Sequence, residues 1–185
     1  MKFTKRHILL LILCLVLIIA LPVLLDKASQ KITKQSYPLP YLDMIEEISE
    51  KYSVDKSLIC AIVYCQSQFN EALTLNDEKA GLMQLSQEAF ARISVLMGKN
   101  TPAERIYDPY ESIDHGIFYL TYLCECYGDM ESALTVFYAE TNGLSTLKIF
   151  DGKDIDISLL KDNNTDKYIK NVYDVQQKYK DIYFG

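Results

Sequence analysis

From Ile8 to Leu25 the chain carries no charged side chain and is almost wholly Leu, Ile and Val. A helix needs about 20 such residues to cross the hydrocarbon core of a bilayer, so this run reads as a membrane-spanning anchor. Lys2, Lys5, Arg6 and His7 precede it. Basic flanks stay in the cytoplasm, which leaves residues 1–7 inside and everything after Leu25 on the outer side of the cell membrane. A cleaved signal peptide is the competing reading. It wants small residues three and one before the cut, and Asp26-Lys27-Ala28-Ser29-Gln30 is a poor match. Cys14 has no small residue before it, which argues against a lipoprotein site.

Residues 26–37 are polar and read as a tether, and Pro38 and Pro40 mark the start of a single domain over 38–185. That length suffices to bury one core. Leu42, Ile45, Ile48 and Tyr52 recur at spacings of three and four, with Glu46, Glu47, Glu50 and Lys51 between them, which predicts an amphipathic helix. Asp55 can cap a second helix reaching to about Gln68. Its stretch from Leu58 to Cys65 is apolar all round and belongs in the middle of a domain. A third helix is expected around Gln87–Met97. Asp108-Pro109-Tyr110-Glu111 is a strong helix start, and that helix runs to about Tyr127, before Gly128. A short helix follows from Met130 to about Tyr138, then polar loop over 141–163, then a last helix from about Thr165 to Ile182. Strand signals are weak, and the fold class is all-α.

The net charge of −6 argues against nucleic acid, because phosphate binding needs a clustered basic surface. Fourteen tyrosines and no tryptophan suit either a sugar site or ordinary core and surface filling. Cys60 and Cys65 are five apart on one helix and diverge by about 140°, so they do not pair with each other. Cys124 and Cys126 diverge too. A bridge between the two helices is conceivable outside the cytoplasm, but buried free thiols are the preferred reading. The spacings are not zinc spacings, and the chain has only two histidines, so neither a metal site nor a cofactor is expected. His115, alone on its helix, reads as structural.

The central helix ends in Tyr64-Cys65-Gln66-Ser67-Gln68-Phe69-Asn70. After it come Gly81-Leu82-Met83-Gln84-Leu85, Tyr107-Asp108-Pro109, Tyr127-Gly128-Asp129 and Leu134-Thr135-Val136-Phe137-Tyr138-Ala139. This ordered set, from about Tyr37 to Tyr179, resembles the lytic transglycosylase domain of glycoside hydrolase family 23. The resemblance implies a goose-type, lysozyme-like all-α fold. It also implies peptidoglycan strands as substrate, cleaved between N-acetylmuramic acid and N-acetylglucosamine. In that family one Glu protonates the leaving oxygen and then helps the sugar's own 6-hydroxyl attack, giving a 1,6-anhydro product. Such a group needs an exchangeable proton near neutral pH.

Here that position is Gln66. An amide has the shape of a carboxyl but no acidic proton. The resemblance implies that Ser67, Met83, Gln84, Tyr138, Glu140 and Tyr168 line the glycan site. Read as residues alone, Leu82 and Met83 are core, Cys65 is a small buried hydrophobe, and Glu140 is a solvated loop carboxylate. Other departures accompany Gln66. Leu75 stands where the family has Ser, Glu78-Lys79 where it has Gly-Ala, Tyr138 where it has Asn, Glu140 where it has Gly, and Asn164 where it has Glu. Ser67, Phe69, Asn70, Gly81, Leu82, Met83, Gln84, Thr165 and Tyr168 follow the family pattern. Glu71 replaces a residue that turns away from the helix end. The first expectation is therefore a membrane-anchored domain that binds glycan with catalysis lost or strongly reduced. The second is an enzyme that uses another carboxylate, Glu140 foremost. The third is a scaffold in a cell-envelope complex that binds a protein partner.

Overall fold

The computed structural model describes residues 18–22, 25, 31–75, 78–141 and 156–185. Its contacts divide the chain into two compact units, Met1–Pro38 and Leu39–Gly185. In the first, the described residues 18–22 and 31–36 are helical. Most of the run from Ile8 to Leu25 lies outside the described residues, among which no helix is long and apolar enough to cross a membrane.

The second unit is mostly helical. Helix α1, Leu42–Tyr52, turns Ile45 and Ile48 inward, both fully buried. Helix α2, Lys56–Ser67, starts where the Asp55 carboxylate accepts the Ser57 amide at 2.8 Å. Ile59, Cys60, Ala61, Ile62 and Val63 are all fully buried, as a helix apolar on every face requires. It packs chiefly against α6, Asn163–Tyr179, whose Ile169, Val172 and Tyr179 face inward. Helix α3, Gln87–Leu96, is capped by Ser86 Oγ. Helix α4, Pro109–Tyr127, has the cap expected of Asp108 and stops at Gly128 in the left-handed region. Helix α5, Met130–Thr141, packs along α4.

Two details depart from the sequence expectations. Between α2 and α3 lies a small antiparallel sheet, in the order β1 (Thr74–Leu75), β2 (Lys79–Ala80), β3 (Leu85–Ser86). Strands of two residues are too short to show a period-two pattern. Helix α5 also continues to Thr141, past the expected end at Tyr138, so Glu140 is helical. The expected loop 141–163 falls mainly on residues outside the description.

The turn Gly81–Gln84 is held hard against α4. A Cβ on Gly81, at φ +73°, would lie 2.1 Å from the Ile106 carbonyl oxygen, so no side chain fits there. On the facing helix, Gly116 leaves room for fully buried Met83, whose Cε would sit 2.6 Å from an added Cβ. The Met83 amide donates to Ser112 Oγ at 3.2 Å. Asp114, two residues after Ser112, is fully buried and ion-paired with Lys51 at 2.6 Å and Lys99 at 2.9 Å, and it accepts the Tyr52 hydroxyl at 2.8 Å. This cluster joins α1, α4 and the segment after α3.

Candidate functional site

The end of α2 is a sharp corner. Gln68 and Phe69 both take left-handed backbone, at φ 52° and 62°. Consecutive residues without glycine in that region carry strain, and strain of this kind gathers at functional sites. Phe69 is nearly buried with its ring edge-on to Tyr179, and that packing holds the corner. The corner leaves Gln66 half-buried on the last turn.

Gln66 Nε2 donates to the Tyr168 hydroxyl oxygen at 3.1 Å. Tyr168, from α6, stacks on Tyr138 from α5, with centroids 4.6 Å apart and planes 24° from parallel. Burial, with Cys65 nearby, pushes the Tyr168 phenol above its ordinary value, against the opposing effect of Gln66. The structure therefore brings three of the predicted residues, Gln66, Tyr138 and Tyr168, into one half-buried cluster from three helices.

The other predicted residues are placed differently. Ser67 is buried, and its hydroxyl donates back to the Val63 carbonyl at 3.2 Å. Met83 is core. Gln84 is also buried: its Nε2 donates to the Leu73 carbonyl at 3.0 Å and the Gly81 carbonyl at 2.7 Å, which ties the turn shut. Glu140 is not the solvated loop carboxylate that its residue type suggested; it is 8% exposed on the last turn of α5. Residues two apart on a helix diverge by about 200°, so Glu140 faces away from the side on which Tyr138 meets Tyr168. It lines a small cavity with Lys79, Gln84, Ser86 and Thr141. Burial first, then the nearby Glu140 carboxylate, raise the pKa of the Tyr119 phenol. Burial lowers that of Lys79, with Glu78 and Glu140 opposing. Lys79 and Glu140 thus line one cavity from β2 and α5.

Four cysteines are described, all as free thiols. Burial pushes Cys60 and Cys65 up to about 12, which leaves them protonated and unreactive. Cys65 accepts a contact from Asn171 Nδ2 at 3.2 Å. Of the buried thiols expected, only Cys60 is buried; Cys65 and Cys124 are half-buried and Cys126 is exposed. Glu71 is exposed and accepts the Tyr41 hydroxyl at 2.7 Å. His115 is fully buried and stacked on Phe90 at 4.1 Å. Among the described residues, Glu111, Asp114 and His115 could in principle gather around a cation. Two lysine ammoniums already neutralise Asp114 and would repel one, so this donor set fits a structural ion-pair cluster and not a metal.

Sequence reasoning missed the Asp114 cluster and the Tyr119–Glu140 neighbourhood. The available signal was an Asp between apolar Ile113 and Ile117 on a helix otherwise destined for the core.

The model of the Transglycosylase SLT domain family matches residues 43–148. Membrane-bound lytic murein transglycosylase C of Edwardsiella ictaluri is 35% identical over 142 residues, covering 75% of this chain and 37% of that protein. Its counterpart in Photorhabdus laumondii is 34% identical with the same coverage of 75% and 37%. The chain thus spans a little over a third of the length of these relatives. The 70-kDa soluble lytic transglycosylase of Escherichia coli matches with a TM-score of 0.64 and 20% identity over 80% of this chain and 25% of its own. An inactive Glu-to-Gln mutant of lytic transglycosylase Slt from Pseudomonas aeruginosa matches at 0.64 with 17% identity, again over 80% and 25%. At these identities the likeness establishes the fold.

Proposed function

The chain belongs to the Transglycosylase SLT domain family, and from that premise we propose that it binds peptidoglycan glycan strands at the outer face of a membrane with little or no cleavage. The observation that carries this reading is Gln66. It stands where the resemblance puts the family's general acid, and its amide is engaged with Tyr168. An amide cannot protonate a leaving oxygen, and loss of general acid–base help alone costs about 10²–10⁴ in rate. The α2 corner and the Gly81–Gln84 turn, which follow the family pattern, support binding, and the Tyr138–Tyr168 stack adds an aromatic face beside them. One structural neighbour is itself inactive through a Glu-to-Gln replacement, which supports the same reading by analogy.

The test is co-sedimentation of the full chain, in detergent micelles, with purified peptidoglycan sacculi. Saturable binding without release of soluble muropeptides is the expected result. Absence of binding would remove glycan as the ligand and favour a protein-binding scaffold.

The anchor reading of Ile8–Leu25 is supported by the run's composition and by relatives that are named membrane-bound. The chain is expected to stay with membranes through an alkaline carbonate wash, and its release by that wash would count against a spanning helix.

A second reading keeps activity and assigns the acid to Glu140. Its support is the burial of that carboxylate beside Tyr119 and Lys79. Its weakness is that Glu140 faces away from the Gln66 cluster.

A further inference from the structure

Helix α3 turns Phe90 and Ile93 into the core and leaves an apolar edge outside. Val95 is 71% exposed and Leu96 43%. With Ala91 and Arg92 they line an open groove of about 350 Å³. The groove is aliphatic, whereas sugar recognition favours aromatic faces, and Phe90, the helix's aromatic residue, is fully buried. A stable protein interface takes about 20–30 residues a side, far more than one edge of a 10-residue helix offers. The charge around the edge is one-sided. Residues 89–103 hold Arg92 and Lys99 and no acidic side chain, in a chain of net charge −6. Arg92 is paired with Glu88 and Lys99 with Asp114, yet both cations remain partly exposed. Long basic stems lie along apolar surface and keep their charged heads at its polar boundary. Aliphatic side chains set between such cations suit the boundary of a bilayer with anionic headgroups.

The reading of Ile8–Leu25 as an anchor brings a bilayer within reach. Residues 26–37 join that run to the domain, and a stretch of this length extends to about 40 Å at most. A domain of this size is roughly as wide. Contact with lipid is then an intramolecular event at high effective concentration, so a small patch suffices. Resting on that anchor reading, we propose that the end of α3 is a second membrane contact, with Val95 and Leu96 seated at the headgroup boundary and Arg92 and Lys99 facing anionic headgroups. Helix α3 packs on α4 and β3. The contact therefore orients the domain through an element other than α2 and α6, which carry Gln66 and Tyr168.

The chain has no tryptophan, so a single one reports its own surroundings. The test places Val95→Trp in the full chain, reconstituted into phosphatidylcholine–phosphatidylglycerol vesicles with and without brominated acyl chains. Leu159→Trp, at a position 81% exposed on another element, is the reference. Thermal melts check that each variant folds. Val95→Trp is expected to emit further to the blue and to lose most of its emission to the brominated lipid, while Leu159→Trp keeps its own. Adding Leu96→Asp to Val95→Trp should restore the emission, which shows that the native patch and not the reporter makes the contact. Equal quenching at the two positions would mean a domain with no preferred face and would overturn the proposal. So would a blue shift at Val95→Trp that grows with protein-to-lipid ratio and resists the brominated lipid, since a second copy would then cover the edge. A chain that floats with the vesicles while Val95→Trp stays unquenched overturns this proposal alone. A chain that does not float with them sinks the anchor reading, and this one with it.

Discussion

The Gln66→Glu variant is expected to release 1,6-anhydro-muropeptides from purified peptidoglycan at least about a hundredfold faster than the wild-type chain. The scaffold around residue 66 needs no other change to receive a carboxyl, because Glu and Gln have the same shape. The position is half-buried at the end of a helix that is itself core, and partial burial raises a carboxyl toward the range a general acid needs. Tyr168 acts in the opposite sense, since its hydroxyl can donate to the carboxylate and favour the ionised form. The optimum of the variant should therefore lie on the acid side of neutral. Mass spectrometry of the released ends is the measurement. Equal silence from both proteins would mean that Leu75, Lys79, Tyr138 and Glu140 have closed the cleft. Anhydro products from the wild type would move the acid elsewhere, and Glu140→Gln should then abolish them.

Asp114→Ala is expected to cost about 3 kcal/mol of stability, the lower end of what breaking a buried ion pair costs, because Lys51 and Lys99 are partly exposed and can regain water. Burial opposes ionisation of Asp114, but hydrogen bonds from Lys51, Lys99 and Tyr52 outweigh it, so its carboxyl lies below its ordinary value. The sign follows directly. Above the unfolded value near ~3.9 the stabilisation is complete, and it is lost as pH falls through the lower, folded value. His115 acts in a separate window. Burial lowers its pKa, so the unfolded chain takes up a proton below about 6.5 that the folded chain refuses, and stability declines from there as pH falls. Denaturant melts across pH 3–7 should show the steeper acid loss in the wild type and its absence in Asp114→Asn. A variant as stable as wild type at pH 7 would mean that the cluster is incidental.

The helices were legible where periodicity and punctuation agreed. Asp55, Asp108 and Gly128 mark ends that the structure keeps, because capping is decided within a few residues. The all-apolar stretch of α2 announced its own burial. Glu140 was misread for the opposite reason: no local pattern shows that Ala133, Val136 and Phe137 carry α5 one turn further into the core. The Gln66 position was legible through ordered motifs. Tyr168, 102 residues away, was named through the same resemblance and not through any spacing, and neither foretold that the two side chains hydrogen-bond. The Asp114 cluster likewise joins residues 63 and 62 apart through packing that no local rule encodes.

The corner at the end of α2 separates two kinds of inheritance. Everything that holds it, from Val63 and Phe69 to the turn at Gly81, answers to the fold and is filtered by whether the protein folds at all. Residue 66 answers only to chemistry, and Gln codons differ from Glu codons by their first base alone. Gaining or losing a carboxyl at residue 66 is therefore a single step that changes charge and proton supply while leaving side-chain shape as it was.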